Sequence, residues 1–134
     1  MYTQNIKTRI RYGETDKMGY CYYGNYAQFF EMGRVELLRS LGVAYKELED
    51  QGIMLPVSKL NINYLKPVFY DEEITIVTKI VKMPTAKIVF EYEIQNSKGD
   101  VTTTGETTLV FIKASDMRPT QPPRSIIAEL EKHF

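Results

Sequence analysis

The stretch Arg11–Arg34, RYGETDKMGYCYYGNYAQFFEMGR, joins a polar, glycine-containing loop to the start of a long helix. The loop carries one central carboxylate, Asp16, and the helix is predicted to begin at Tyr26, directly after Asn25. The first N–H groups of a helix lack partners inside it and carry partial positive charge, so they favour an anion there. The stretch therefore predicts a carboxylate beside the positive end of a helix, where it could attack a polarised carbonyl or activate a water against it.

Apolar side chains after Asn25 follow the spacing of one helix face. The positions are Tyr26, Phe29, Phe30, Gly33, Leu37 and Leu41, and further apolar surface comes from Met32, Val35 and Leu38. We therefore expect a helix buried on most sides. Gly33 costs a helix about 1 kcal/mol relative to alanine, which predicts a close approach between helix and sheet. Asn25 is predicted to cap the helix, with Gln28 in a capping-box arrangement, and Gly42 to end it.

Period-two alternation predicts five strands around this helix. Their expected ranges are Ile6–Tyr12, Val57–Lys66, Glu73–Val81, Lys87–Gln95 and Val101–Ile112. Short helices are expected over Ala44–Gln51 and from Pro122-Pro123 to Phe134, and Asn96–Asp100 reads as a hairpin turn. We expect the last four strands to pair as an antiparallel meander that wraps around the helix, in an α+β fold.

Composition narrows the class of protein. The 134 residues suit one domain, 1–134, and 17 basic residues balance 17 acidic ones, which argues against a general nucleic-acid binder. No apolar run approaches the roughly 20 residues of a membrane span, and the first residues lack the apolar core of a signal peptide. Cys21 is the only cysteine, so no intrachain disulfide can form, and a cytoplasmic protein is expected.

Several motifs, in order, resemble the hotdog-fold thioesterases, specifically the 4-hydroxybenzoyl-CoA thioesterase family and related acyl-CoA thioesterases. The first motif is Asp16-Lys17-Met18-Gly19, followed by Tyr22-Tyr23-Gly24-Asn25-Tyr26 and Phe30-Glu31; the second is Leu55-Pro56-Val57, Tyr64-Leu65-Lys66-Pro67 and Tyr70-Asp71-Glu72. The resemblance covers about Asn5 to Lys113. It implies a curved antiparallel sheet around one long helix.

The resemblance also implies an activity, the hydrolysis of an acyl-CoA thioester to free CoA and a carboxylic acid without metal or cofactor. Asp16 aligns with the family's catalytic acid, as nucleophile or general base, and the Tyr23 backbone amide with the donor to the thioester oxygen. The residues expected to bind substrate are Gly19, Tyr22, Gly24, Asn25, Tyr26, Ser58, Lys59, Tyr64 and Lys66.

Two features depart from the family pattern. Many such enzymes have a histidine seven residues after the aspartate, whereas this chain has Tyr23, and a phenol is a poor general base at neutral pH. Some members bind the CoA phosphates with clustered Arg and Lys, whereas the corresponding region here, Lys82–Lys87, is only mildly basic. The candidate phosphate ligands are Lys59, Lys66, Lys82 or Lys87.

By resemblance we expect a homodimer joined edge to edge, further paired into a homotetramer. Each site would lie at the subunit boundary. Residues Pro56–Lys59 and Tyr64–Lys66 of the second chain would help complete it. Pairing would also protect a sheet edge that a single subunit leaves open.

Other interpretations remain at this stage. Asp16 could be an ordinary loop carboxylate. Glu31 is a rival to Asp16 as the catalytic acid, but it could instead pair with Arg34 across a subunit contact. Tyr20, Tyr22, Tyr23 and Tyr26 could pack in the core or at a dimer interface. Cys21 reads as a small buried residue, and His133, the only histidine, lies too near the C-terminus for a Ser-His-Asp mechanism. The alternative functions are an acyl-carrier-protein thioesterase, a hydratase of the same fold and a non-catalytic acyl-CoA binding protein. Neutral charge gives the carrier-protein reading no support.

Overall fold

The architecture is a five-stranded antiparallel sheet with one long helix across it, seen in a computed structural model that describes residues 1–134. The helices and strands in chain order are β1 (Tyr2–Arg9), α1 (Tyr26–Ser40), α2 (Tyr45–Asp50), β2 (Ile53–Met54), β3 (Val57–Tyr64), β4 (Glu73–Ile80), β5 (Lys87–Gln95), β6 (Val101–Val110), β7 (Ile112–Lys113) and α3 (Arg124–Glu131). No helix among them is long and apolar enough to cross a membrane. The predicted α+β class and hotdog arrangement are confirmed.

The strand order across the sheet is β1-β4-β5-β6-β3. Strands β4, β5 and β6 form the predicted meander, and Asn96–Asp100 makes the turn between β5 and β6, with Gly99 at φ +86°. The predicted place of β3 in that meander is wrong, because β3 pairs with β6 at the far edge and not with β4. Alternation shows which face of a strand is buried but does not identify its neighbour, so it could not reveal this crossover.

The concave face of the sheet is apolar, as the alternation predicts. Ile74, Ile76, Thr78 and Ile80 of β4, and Ile88, Phe90, Tyr92 and Ile94 of β5, are all buried. Helix α1 lies on this face and contributes Tyr26, Phe29, Phe30, Gly33, Leu37 and Leu38 to the buried surface. Helix and sheet therefore share one hydrophobic core.

The outer side of α1 is open, so the expectation of a helix buried on most sides is wrong for this chain. Gln28, Glu31 and Glu36 are exposed there because no second layer of the chain covers them. The predicted close approach at Gly33 is confirmed, since a Cβ atom at this position would collide with the Thr78 hydroxyl and touch Ile76. The absence of a side chain lets α1 sit directly on β4.

The predicted cap at the start of α1 is wrong, whereas the predicted glycine stop at its end is confirmed. Asn25 does not cap the helix, because its backbone is already helical (φ −84°, ψ −13°) and its side-chain amide donates to the Glu14 carbonyl at 2.8 Å. Gly42, at φ +82°, ends the helix as predicted. Its N–H donates to Arg39 and the Val43 N–H donates to Leu38, each at 2.9 Å, which satisfies the last carbonyls of the helix.

The bounds of two strands differ from their predicted ranges. The first strand lies four residues before its predicted start and ends at Arg9, because a short 3₁₀ turn at Tyr12–Glu14 takes the end of the predicted range. The predicted strand Val101–Ile112 divides into β6 and the short β7, which pairs with β2. Helices α2 and α3 lie within their predicted ranges.

We expect Gly33→Ala to destabilise the protein. Alanine favours the helix by about 1 kcal/mol, but overpacking against Thr78 costs about 1–3 kcal/mol, so the net change should be a loss. Denaturant unfolding of Gly33→Ala, Thr78→Ala and the double variant would measure it. The double variant should recover part of the loss, since it removes the colliding hydroxyl. Equal or greater stability of Gly33→Ala alone would contradict the close-contact explanation.

Candidate active site

Asp16 lies in a closed loop between β1 and α1. Its backbone N–H donates to the Tyr20 carbonyl at 2.8 Å, and Thr15 and Cys21 pair as an antiparallel bridge. Gly19 adopts φ +78°, a conformation that strongly favours glycine, and closes the turn. The loop is tied to the segment before β4, since the Cys21 N–H donates to the Val68 carbonyl at 2.8 Å.

The Asp16 carboxylate has one oxygen engaged and one free. Oδ1 accepts hydrogen bonds from the backbone N–H groups of Met18 at 2.8 Å and Tyr20 at 3.2 Å. Oδ2 accepts none from the chain. Two amide donors therefore fix the orientation of the carboxylate, while one oxygen remains available.

A 3₁₀ turn, Tyr23–Asn25, leads directly into α1. The N–H groups of Tyr23 and Gly24 donate to no acceptor in the chain, as expected for the first residues of a helical segment. The ring of Tyr22 covers Gly24 so closely that a Cβ atom there would collide with it. Two unpaired donors therefore stand at the positive end of the helix.

Glu14 holds this turn in place, a role that no motif or periodicity in the sequence indicates. Its backbone carbonyl accepts from the Tyr22 N–H at 2.7 Å and from the Asn25 side chain at 2.8 Å. Its buried carboxylate accepts from the Arg11 N–H at 2.7 Å and from the Arg11 guanidinium at 3.2 Å. One residue thus fixes the helix start and, through its place in the chain, the loop that carries Asp16.

A cleft of about 280 Å³ opens beside these groups. Its walls are formed by Asp16, Met18, Tyr20, Cys21, Tyr23, Tyr26, Tyr64, Leu65, Lys66 and Pro67. The Tyr64 ring packs edge-on against Tyr26, with centroids 5.0 Å apart, and against Tyr23, at 6.3 Å. Burial raises the pKa of Tyr26 to about 12 and also raises the pKa of Tyr64, so both phenols are neutral at physiological pH.

Most of the predicted site residues converge on this cleft. Asp16, Tyr23, Tyr26, Tyr64 and Lys66 line it, Gly19 shapes the Asp16 loop, and Tyr22, Gly24 and Asn25 build the turn. The Lys66 ammonium lies 3.7 Å from the Asp100 carboxylate.

Two predicted residues lie elsewhere in the single chain. Ser58 and Lys59 are at the opposite end of β3 from Tyr64, and the Ser58 hydroxyl donates to the Thr108 carbonyl at 3.2 Å. Met18, Leu65 and Pro67 line the cleft although they were predicted only as parts of motifs. Their position depends on how two distant loops meet, which no local pattern describes.

A larger cleft, about 710 Å³, lies between α1, α2 and the segment Ile53–Pro56. It contains Glu31, the rival acid, and Arg34, whose guanidinium donates to the Tyr45 hydroxyl at 3.1 Å. This cleft shares no lining residue with the Asp16 cleft, although the start of α2 lines it through Ala44, Tyr45 and Lys46. Its acid, Glu31, is an exposed side chain on the outer side of α1, whereas Asp16 is held by two backbone donors in a closed loop.

We expect the Cys21 thiol to react slowly in the folded protein. Burial raises its pKa to about 11, so the reactive thiolate at pH 8 should be roughly 100-fold rarer than in a free cysteine. An aromatic disulfide reagent should label the native protein slowly, faster with each step in pH, and rapidly after unfolding in guanidinium. Fast labelling of the native protein at pH 8 would contradict the buried, neutral thiol.

The sequence is similar to known proteins over most of its length. The model of the thioesterase superfamily matches residues 18–103. YneP of Bacillus subtilis is 32% identical over 121 residues, covering 90% of this chain and 88% of YneP. YbgC of Escherichia coli, an acyl-CoA thioester hydrolase, is 29% identical over 124 residues, covering 92% of each chain.

A solved structure is also closely similar. The DHNA-CoA thioesterase of Staphylococcus aureus superposes with a TM-score of 0.86 at 40% sequence identity, covering 100% of this chain and 85% of that one. Sequence and fold agree over almost the whole chain. The protein therefore belongs to the thioesterase superfamily, as an acyl-CoA thioesterase of the hotdog fold.

Proposed function

We propose that thioester hydrolysis takes place in the Asp16 cleft, with Asp16 as the nucleophile or general base and the Tyr23 N–H, helped by Gly24, polarising the carbonyl. One observation carries this proposal: a carboxylate with a free oxygen stands beside unpaired N–H groups at a helix start. A thioester between them would meet hydrogen-bond donors at its oxygen and the acid at its carbon. Donors placed where negative charge develops stabilise the transition state by a few kcal/mol.

The two roles of Asp16 differ in which atom attacks. As a general base, Oδ2 accepts a proton from water, and the water oxygen forms the new bond to the thioester carbon. As a nucleophile, Oδ2 bonds to that carbon itself and gives a mixed anhydride, which a water then hydrolyses. In both cases the carbonyl electrons move onto oxygen and return as the C–S bond breaks. CoA thiolate leaves and takes up a proton, and the acyl group becomes a carboxylic acid.

No second catalytic acid or base is needed for this chemistry. Thiols are far more acidic than alcohols (a cysteine thiol has a pKa of about 8.5), so CoA departs readily as a thiolate. Tyr23 occupies the position where related enzymes have histidine, and it acts here through its backbone. The neighbouring phenols of Tyr26 and Tyr64 are neutral, because their pKa values are raised, and they form walls and hydrogen-bond donors.

We propose an aromatic, hydroxylated acyl group as the preferred substrate. Tyrosine rings dominate the cleft wall, and aromatic rings favour offset or edge-on contacts with one another. A volume near 280 Å³ is at the low end for ligand pockets, which suits one compact acyl group and not a whole CoA molecule. The Staphylococcus aureus protein, 40% identical, acts on DHNA-CoA, a dihydroxynaphthoyl thioester.

We further propose that two chains complete the site by pairing their β3 strands. Strand β3 is an edge strand, and Val57, Leu60 and Tyr64 along it are 45%, 43% and 48% exposed. Two-fold antiparallel pairing would put the Val57 end of one copy beside the Tyr64 end of the other. The partner's Ser58 and the partner's Lys59 would then approach the Asp16 cleft. The homotetramer remains a further step of this proposal, built on that dimer.

Asp16→Asn should abolish most thioesterase activity. The amide cannot act as a base or attack as a carboxylate, so kcat should fall by about a hundredfold or more. Glu31→Gln is the matched control, because it neutralises an exposed acid on α1, and it should retain wild-type turnover. Thiol release from purified variants measures both, with circular dichroism and light scattering to confirm folding and size. Loss of activity in Glu31→Gln alone would move the catalytic acid to α1.

A substrate panel tests the acyl class. With wild-type protein, 1,4-dihydroxy-2-naphthoyl-CoA and 4-hydroxybenzoyl-CoA should give higher kcat/KM than butyryl-CoA or palmitoyl-CoA. A preference for the aliphatic thioesters would refute the aromatic assignment but not the Asp16 chemistry. Activity only on acyl-carrier-protein thioesters would show that the acyl group is carried by that protein and not by CoA.

Leu60→Lys should weaken dimer formation and reduce turnover. Leu60 is half-exposed at the open edge, and a charge there would have to be desolvated in a paired interface. Val81→Lys is the matched control, since Val81 is 42% exposed but lies outside β3. Light scattering at micromolar concentration would report the size of each variant. A monomeric wild type with full activity would contradict the shared site.

A further inference from the structure

The hydroxyl of Tyr64 makes a contact that cleft lining alone does not explain. It donates a hydrogen bond to the backbone carbonyl of Tyr23 at 3.0 Å. Tyr23 begins the 3₁₀ turn, and the same carbonyl also accepts the Tyr26 N–H. The carbonyl at the start of the helix is therefore held from two sides, once by the backbone and once by a side chain from β3.

We propose that Tyr64 is a positioning residue that orients the amide donors of the helix start through the Tyr23 carbonyl. This inference rests on the proposed function of those amides. A trans peptide is planar, and its C=O and N–H point in opposite directions. Fixing the Tyr23 carbonyl therefore fixes the direction of the Gly24 N–H in the same peptide unit. The Tyr23 N–H belongs to the preceding peptide unit, which is joined to this one at the Tyr23 Cα, so Tyr64 acts on it less directly.

The hydrogen bond from Tyr64 also polarises the peptide unit that it orients. A peptide whose carbonyl accepts a hydrogen bond becomes a stronger donor at its N–H, because hydrogen bonds in a chain polarise one another. The Gly24 N–H belongs to such a peptide and has no acceptor in the chain. A phenol is well suited to this task, since burial keeps Tyr64 protonated and hence a donor. The ring, packed edge-on against Tyr26 and Tyr23, sets the direction of the O–H group.

The position of Tyr64 in the fold gives the contact a second consequence. Tyr64 is the last residue of β3, the open edge of the sheet, whereas the helix start is anchored to Glu14 on the opposite side. The Tyr64 hydroxyl thus links the edge strand to the turn through a side-chain hydrogen bond. Any shift of β3, such as one caused by pairing with a second copy, reaches the amide donors through this bond.

Tyr64→Phe tests the inference because it removes only the hydroxyl and keeps the ring in the cleft wall. We expect kcat on the best thioester of the panel to fall by about tenfold, a fraction of the 10²–10³ that losing a whole oxyanion donor costs. KM should change less than twofold, and thermal stability and oligomer size should match the wild type. Tyr64→Leu, which also removes the ring contacts, should lower kcat and raise KM.

The matched control is Tyr2→Phe, which removes a phenol hydrogen bond, to Ser40 at 2.6 Å, far from the cleft. It should leave kcat unchanged. Amide NMR provides a readout independent of turnover: the Gly24 resonance should shift in Tyr64→Phe and not in Tyr2→Phe.

The possible results distinguish a failure of the positioning role of Tyr64 from a failure of the proposed thioesterase function. Wild-type kcat and an unshifted Gly24 resonance in Tyr64→Phe would overturn the positioning role while the thioesterase assignment stands. A raised KM with unchanged kcat would make Tyr64 a substrate contact and also overturn the role. An inactive wild type across the panel would instead reject the proposed function, and the Gly24 resonance would still test the contact.

Discussion

The close contact between Gly33 and β4 determines where every other part of the site can lie. With no side chain at Gly33, α1 rests directly on Thr78 and Ile76 and crosses the concave face at a fixed height. The start of α1 is then brought to the end of the sheet at which β1 and β3 both end, beside the loop containing Asp16. A helix held farther from the sheet would carry its unpaired amides away from the carboxylate. The packing of one glycine in the core is therefore linked to the chemistry at the end of the helix.

Glu14 fixes the turn before α1 relative to the loop that carries Asp16. Its carbonyl accepts both the Tyr22 N–H and the Asn25 side chain, and its carboxylate accepts from Arg11. Asn25 would satisfy only a local amide if it capped the helix. By reaching back to Glu14 it ties the turn to the loop. The N–H groups of Tyr23 and Gly24 have no acceptor in the chain because these residues begin the 3₁₀ turn. Tyr23 and Gly24 are exposed, so their donors are open to solvent and accessible to an anionic or polarised ligand in the cleft.

The sequence predicted the buried faces, α1 and most strand ranges because those features depend on local periodicity. The Asp16 loop and the helix start were predicted through a motif, and the fold brings them together. The crossover of β3 could not be predicted, since alternation carries no information about neighbours. Ser58 and Lys59 are apart from the rest of the site because they lie at the other end of this extended strand from Tyr64. Gly105 shows a second limit: it admits the Phe30 ring, which stacks on Tyr92 at 4.2 Å. Such a glycine is recognised only when its opposite partner is known.

The balance of charge around the cleft explains how a site with so few functional groups can suffice. Asp16 is the carboxylate in the cleft wall, the surrounding phenols are neutral, and the Lys66 ammonium is shared with Asp100. In the proposed reaction, the helix-start amides, which have no acceptor in the chain, donate to the developing oxyanion when a thioester is bound. They are fixed by Glu14 on one side and Tyr64 on the other, so little reorganisation is needed as charge moves from one oxygen to the next. For a thioester, whose leaving group needs no strong acid, a carboxylate and two oriented amides supply the groups that the reaction requires.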